Sequence, residues 1–384
     1  MRIFLSCQQA LRRHEVPAYA FWEYYFKGSF AEAGHEVLEA PGVDWAEGLT
    51  ALGDTRAAWL DRTWSSTISY LKREHARRPI DLFLGYLFPD QVDPQAVRQI
   101  RDLGIPCVNF FCDNVREFTR IPTAYRDFDL HWVPESEARP MYSAAGLPQL
   151  YAPMPMWTSP AMRTVPDTEK AEVLFVGSHD DLRQALLDEA VGLGLSLSLH
   201  GSGWAPGTGT ASPGRIGRAA KLANLVGFLR KEGPRGLVMR ETYRRRPRPA
   251  FSWTMSHAKP ALLGDDYFKA TREAQVVLGI NRYPSFRHPF SRPGAYSRLR
   301  DIEAPMLGAC YLTEWAPGLD DLYDIGSEIE TYRSASELVE KSSRLVSDPA
   351  HRMSLRKAGQ KRALADHSIR RSIERVAEFL GIGK

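Results

Sequence analysis

The residues best equipped for chemistry lie in the last third of the chain. Arg298, Arg300 and Glu303 share one stretch, SRLRDIEAPML, whose periodicity predicts a helix from Ser297 to Leu307. A guanidinium beside a helix start can hold the negative charge of a phosphate, and the helix N-terminus adds to it. A carboxylate there can accept hydrogen bonds from the two hydroxyls of a ribose. The plainer roles are a dipole-favouring acid and two solvent-facing arginines. Further candidates end apolar runs. Gly177 and Ser178 close VLFVGS and precede a helix carrying Arg183; a glycine there lets backbone N–H groups approach an anion. Gly203 and Trp204 end LSLSLHGSGW, either as the wall of a nucleobase pocket or as an ordinary turn. Asn281 and Arg282 end VVLGIN, and Tyr283, Arg287 and His288 follow in a Pro-rich loop. Asp113 ends VNFFCDN and His14 follows RIFLS; either could act as a general base, or as a cap and a solvated loop residue.

The elements that must position these residues alternate. In the first part, RIFLS, HEVLEA, IDLFLGYLF, VNFFCDN and FDLHWVP read as strands. Helical segments at residues 21–33, 67–77, 94–103 and 136–146 separate or follow them. Gly34, Gly104 and Gly146 supply stops, and Pro94 stands just inside a start. Residues 151–170 are Pro-rich without a period and read as a linker. The alternation then restarts with AEVLFVGS, a helix in DDLRQALLDEAVGLG, LSLSLHGSGW, a helix over 267–273, AQVVLGINRY, the 297–307 helix and ACYLTEW. Residues 335–366 and 368–380 are helical. Asp265-Asp266 reads as a helix cap and Asp320-Asp321 as a loop. The fold class is therefore α/β, with two Rossmann-like domains of parallel strands facing across a cleft. The expected boundaries are 1–155, 171–366 with a basic insertion at about 205–255, and a C-terminal helix, 367–384, crossing back to the first domain.

Bulk properties agree with this. The chain has 384 residues, long enough for two cores, and 43% hydrophobic with 25% charged residues excludes global disorder. A net charge of +4 is too mild to argue for nucleic acid. Cys7, Cys107, Cys112 and Cys310 have neither C-x-x-C spacing nor a histidine cluster, so no zinc site is expected. The opening MRIFLSCQQALRRHE is too short in apolar residues for a signal peptide, and no run suits a membrane span. A cytoplasmic protein is expected, with the inner membrane face as a second site. Residues 215–248 carry many Lys and Arg against Glu232 and Glu241. Three readings stay open for them: a solvated surface, an anionic acceptor site or an acidic membrane contact. Sparse aromatics argue against single-stranded nucleic acid.

The order of motifs resembles GT-B glycosyltransferases, and most of all the group related to the spore-maturation protein CgeB. Arg300, Glu303, Ala304, Gly308 and Thr313 fit that group's pattern, as do Phe175-Val176-Gly177-Ser178, Arg183 and Gly201-Ser202-Gly203-Trp204. In the first domain only the order of elements and FFCDN match. The resemblance implies a nucleotide-sugar donor on the C-terminal domain, linked to UDP, GDP or dTDP, with Glu303 on the ribose. It implies no further cofactor and no metal, and leaves the acceptor open. Many retaining members carry a second Glu before this helix, where this chain has Ala295. A sugar-nucleotide epimerase and a non-catalytic binder of nucleotide-sugars or anions are the alternatives.

Overall fold

The structure is a computed structural model that describes residues 1–14, 18–204, 218–246, 250 and 252–383. The remainder of the basic insertion, 205–217, 247–249 and 251, lies outside the described residues. The chain divides into two compact units, Met1–Ala161 with Ala363–Lys384, and Met162–Arg362.

The first unit is built on six parallel strands: β1 Arg2–Ser6, β2 Glu36–Leu38, β3 Leu82–Tyr86, β4 Cys107–Phe110, β5 Leu130–Val133 and β6 Gln149–Tyr151, in the order β2-β1-β3-β4-β5-β6. Strands β1, β3, β4 and β5 are buried along their whole length, as strands covered on both faces must be. Their apolar runs therefore showed no alternation. The order reverses between β1 and β3, the place where sheets of this kind open a crevice at their carboxyl ends. Around this sheet Trp22, Phe26, Phe110 and Trp132 pack edge to face, and Trp45, Trp59 and Trp64 form a second aromatic cluster.

Two expectations are corrected here. The helix expected from Thr67 begins at Gly53, because its first half buries only Trp59, Thr63 and Trp64, too thin a stripe to read as periodic. The segment expected as linker from Tyr151 starts inside β6, a half-buried edge strand too short to stand out. The helix Pro94–Arg101 does begin at Pro94, with the Asp93 carboxylate accepting from the Gln95 N–H at 2.8 Å.

The second unit holds the parallel strands β7 Lys170–Val176, β8 Ser198–His200, β9 Ala274–Gly279, β12 Tyr311–Glu314 and β13 Glu330–Tyr332, in the order β13-β12-β9-β7-β8. Between β9 and β12 the chain forms an antiparallel ribbon of β10 Arg282–Tyr283 and β11 Gly294–Ala295. Part of the basic insertion is the helix Arg218–Arg244, interrupted at Gly233, which has a left-handed φ of 70° before Pro234. The stretch 335–366 is two helices, Ala335–Ser347 and Pro349–Asp366, because a proline disfavours helical backbone at the preceding Asp348. Asp320 and Asp321 lie in a short helix, Leu319–Leu322, and Asp265 and Asp266 in a helix's first turn behind Leu263.

The last helix, Ile369–Leu380, belongs to the first unit. It packs on the helix Ala18–Glu32, the Ile369 N–H donates to the Met156 carbonyl at 3.0 Å, and Arg375 donates to the Tyr151 carbonyl.

One ion cluster underlies the second unit. Glu169, just before β7, accepts from Arg352 at 2.6 Å and from Arg356 at 2.8 Å, and those arginine side chains are 3% and 0% exposed. Removing the carboxylate would leave two buried cations. Glu169→Ala should therefore lower unfolding stability by about 3–5 kcal/mol, read by urea denaturation. A loss of under about 1 kcal/mol would show that the arginines find other partners.

Candidate functional site

At the carboxyl ends of β7 and β8, two loops are stitched by their backbones. The Gly177 N–H donates to the His200 carbonyl at 2.8 Å, and the His179 N–H to the Ser202 carbonyl at 2.9 Å. The Trp204 indole N–H donates to the Gly177 carbonyl at 2.8 Å, and the ring meets His179 edge-on at 4.9 Å. A Cβ on Gly201 would lie 1.9 Å from the Gly177 carbonyl oxygen, so the approach requires glycine. Trp204 is 1% exposed and supports these loops from within, as does Gly203 with its φ of 78°. Arg183 donates to the Ser178 carbonyl at 2.8 Å and to its hydroxyl at 3.2 Å. Gly177, Ser178, Arg183, Gly203 and Trp204 are thus one local assembly.

The helix Leu299–Met306 joins it. Arg300 donates to the Val176 carbonyl at the end of β7, and its guanidinium lies over the Tyr267 ring at 5.7 Å. Tyr267, on the helix Gly264–Glu273, donates its hydroxyl to Glu303, a carboxylate only 6% exposed. Burial and then the Glu303 charge push the Tyr267 hydroxyl far above its ordinary pKa, so it keeps its proton and remains a donor. Burial opposes the charge on Arg300, and Tyr267 and Glu303 more than offset it.

A second group forms at the ends of β9 and β12. The Asn281 amide donates to the Glu314 carbonyl at 2.8 Å and to the Thr313 hydroxyl at 3.2 Å. Glu314 accepts the main-chain N–H of Asn281 at 3.1 Å, that of Arg282 at 3.0 Å, and the Arg282 Nε at 2.6 Å. Arg298 donates to the Arg282 carbonyl at 3.1 Å, and its guanidinium lies over Tyr296 at 5.0 Å. Asp301, with no exposure, accepts from the Arg298 N–H at 2.8 Å, Tyr311 at 2.8 Å and Thr313 at 2.9 Å. Burial raises its pKa and these donors oppose the rise. Beside this group a cavity of about 450 Å³ is lined by Arg282, Glu314, Trp315, Arg333, Glu189 and Ala295. Arg287 pairs with Glu232 of the basic helix at 2.6 Å, and the Tyr283 hydroxyl meets His288 at 3.4 Å.

In the first unit, His14 is buried with its Nε2 2.9 Å from an Asp44 carboxylate oxygen. Asp44 also accepts the N–H of Leu11 at 3.1 Å and of Glu47 at 3.0 Å, tying the loop after β1 to the one before Gly53. Asp113 stands at the cap position of the short helix Asn114–Glu117 but makes no capping bond, and its φ is +67°. Among the described residues the only other non-glycine with positive φ is Gln8 at 56°, just after β1. Strain of this kind costs about 1–3 kcal/mol and gathers at functional sites. Beyond β5, Glu135 accepts from the Asn114 N–H at 3.1 Å and from its side-chain amide at 2.6 Å. Burial pushes the Glu135 pKa up to about 8; the Asn114 bonds oppose the rise, and the Asp113 and Glu137 charges add to it.

Reading the sequence missed Tyr267, Asp301, Asp44, Asn114 and Glu135, and left Glu314 without a task. Asp301 had one signal, an acid three residues after the helix cap. Glu314 had another, its place at a strand end. Tyr267, Asp44 and Glu135 come from distant segments and carried none. Among the described residues no cluster of three metal-ligating side chains forms, and no helix is long and apolar enough to cross a membrane.

Comparison with known proteins identifies the family and the fold. The chain belongs to the Glycosyl transferase-like family, whose profile matches residues 180–378, just over half its length. Its fold is that of GT-B glycosyltransferases. It is similar to a sucrose-phosphate synthase of Thermosynechococcus elongatus, at 14% identity and a TM-score of 0.56, covering 99% of both chains. A glycosyltransferase of Rickettsia africae gives 8% identity and a TM-score of 0.55, over 99% of this chain and 98% of that one. Anabaena HepE, solved in complex with UDP, gives 12% and 0.51, over 99% of this chain and 100% of that one. No curated protein sequence matches the chain significantly.

Glu135 predicts a pH effect with a definite sign. Its folded pKa of about 8 lies above the ordinary glutamate value of 4.5, so its contribution to stability is complete below about pH 4.5 and is lost as pH rises through 8. Glu135→Gln cannot ionise. Urea unfolding at several pH values should show wild type losing stability relative to the variant across that window. A difference flat with pH would mean that folding does not shift the Glu135 pKa.

Proposed function

We propose that the chain is a CgeB-like glycosyltransferase that binds a nucleotide-sugar on its second unit and transfers the sugar to an acceptor. The observation that carries this reading is the Arg300–Tyr267–Glu303 assembly, set at the start of the helix Leu299–Met306 and at the carboxyl end of β7, inside the family-matched segment. Glu303 is the ribose ligand. Arg300 and Arg183, with the backbone N–H of Ser178 in the loop that Gly177 opens, meet the charge that grows on the departing nucleoside diphosphate, without a metal or further cofactor. Asn281, Arg282 and Arg298 shape the neighbouring sugar side, where Ala295 stands in place of the further Glu that many retaining members carry. Structures of Anabaena HepE with UDP, with UDP and glucose, and with UDP-glucose support a uridine-linked donor first among the candidates.

In the transfer the acceptor oxygen forms its bond to the sugar C1 as the C1–diphosphate bond breaks. The acceptor proton passes to a base. Asp113 takes that role, held in a backbone conformation it would not choose unaided. His14, oriented by Asp44, is the second candidate. We place the protein in the cytoplasm, with the basic stretch 215–248 meeting an anionic acceptor or the inner membrane face.

UDP-, GDP- and dTDP-sugars are the probes. One of them should raise the melting temperature of wild type by several degrees at saturation, and Glu303→Gln should abolish the rise. An undiminished rise in that variant would put the donor elsewhere. With the stabilising donor and a sugar acceptor, Asp113→Asn should keep the thermal shift and lose roughly a hundredfold or more in transfer rate. Full transfer by that variant would exclude Asp113 as the base and leave His14→Ala as the next test.

A further inference from the structure

Asp113 holds a left-handed backbone, with φ of +67°, that strains an aspartate through its own Cβ. Its carbonyl accepts from the Arg116 and Glu117 N–H groups at 3.1 and 2.8 Å. Further contacts that set the turn lie one residue on. The Asn114 N–H and side-chain amide both donate to the same oxygen of Glu135, Oε2, at 3.1 and 2.6 Å. The same amide donates to the Phe111 carbonyl at 2.7 Å, and Tyr142 donates its hydroxyl to the Asn114 Oδ1 at 2.9 Å. Asn114 is fully buried, so each of its polar atoms needs a partner, and the left-handed turn at Asp113 is what presents them all at once.

We propose that Glu135 is a positioning residue for Asp113: by gathering both Asn114 donors on one oxygen it fixes the turn that aims the Asp113 carboxylate. This rests on the reading of Asp113 as the base. Glu135 is 1% exposed, and its second oxygen, Oε1, is buried with no donor in reach. It therefore does not touch substrate and acts through Asn114. The neutral acid suits that place, since a charge there would face Asp113 and Glu137. A glutamine supplies the same accepting oxygen without a charge at any pH.

The experiment compares Glu135→Ala with Glu135→Gln in the full chain, using the donor that stabilises the protein. Alanine should lower kcat about tenfold or more, since small misplacements at a reacting group cost that much, and leave the donor KM unchanged. It should also speed amide hydrogen exchange at Asn114–Phe118. Glutamine should restore both. If alanine does not fold, Asn114→Ser, which removes the 2.6 Å side-chain amide bond to the same Glu135 oxygen and keeps the backbone one, takes its place. Unchanged exchange and kcat in the alanine variant would overturn the proposal. So would a glutamine variant as slow as alanine with normal exchange, which would make the proton of Glu135 itself the working group. Asp113→Asn separates the two readings: normal transfer in that variant removes Asp113 as the base, whereas the exchange measurement still decides whether Glu135 fixes the turn.

Discussion

The Asp301 carboxylate has no contact with water and draws its donors from separate elements. It takes the N–H that opens its own helix, the side chains of Tyr311 and Thr313 on β12, and at longer range the amide of Asn281 after β9. A buried carboxyl is costly unless its lone pairs are met, so the start of the helix cannot drift from the ends of those strands without leaving it unmet. Arg300 and Glu303 stand one and two residues either side of it along the same helix. Their aim is inherited from this junction. Glu314 repeats the device at the strand end, holding two main-chain N–H groups and the Arg282 guanidinium.

The first unit solves a similar problem with less help from helices. Asp44 collects two backbone N–H groups and His14, and Glu135 collects the two donors of Asn114. In both units, then, a buried acid gathers donors that would otherwise be free to drift apart. Among the described residues, the non-glycine positive φ values, at Gln8 and Asp113, fall just after β1 and β4.

How much of this was legible follows from where the information sits. Buried runs such as RIFLS and VLFV betray their strands because burial on both faces selects apolar residues in sequence. The short edge strands β6 and β13 and the thin stripe of the helix Gly53–Arg77 offer no such concentration. Glu303 and Arg300 were visible because one helix start places them together. Their partner Tyr267 was not, since a tyrosine thirty-odd residues away has no pattern that ties it to a carboxylate. Asp113 was visible as a strand-end acid, but the bonds beside its left-handed turn reach Glu135, just beyond the next strand, a pairing only the sheet order creates.

The return of the helix Ile369–Leu380 to the first unit has a consequence for synthesis. Chains emerge from the ribosome N-terminus first, and domains generally fold in that order. Here the whole of Met162–Arg362 must be translated before the helix that packs on Ala18–Glu32 exists. Until then the apolar face prepared for that helix is uncovered, so the unit begun first is the last to be finished, and the nascent chain carries a sticky surface throughout the making of its second half.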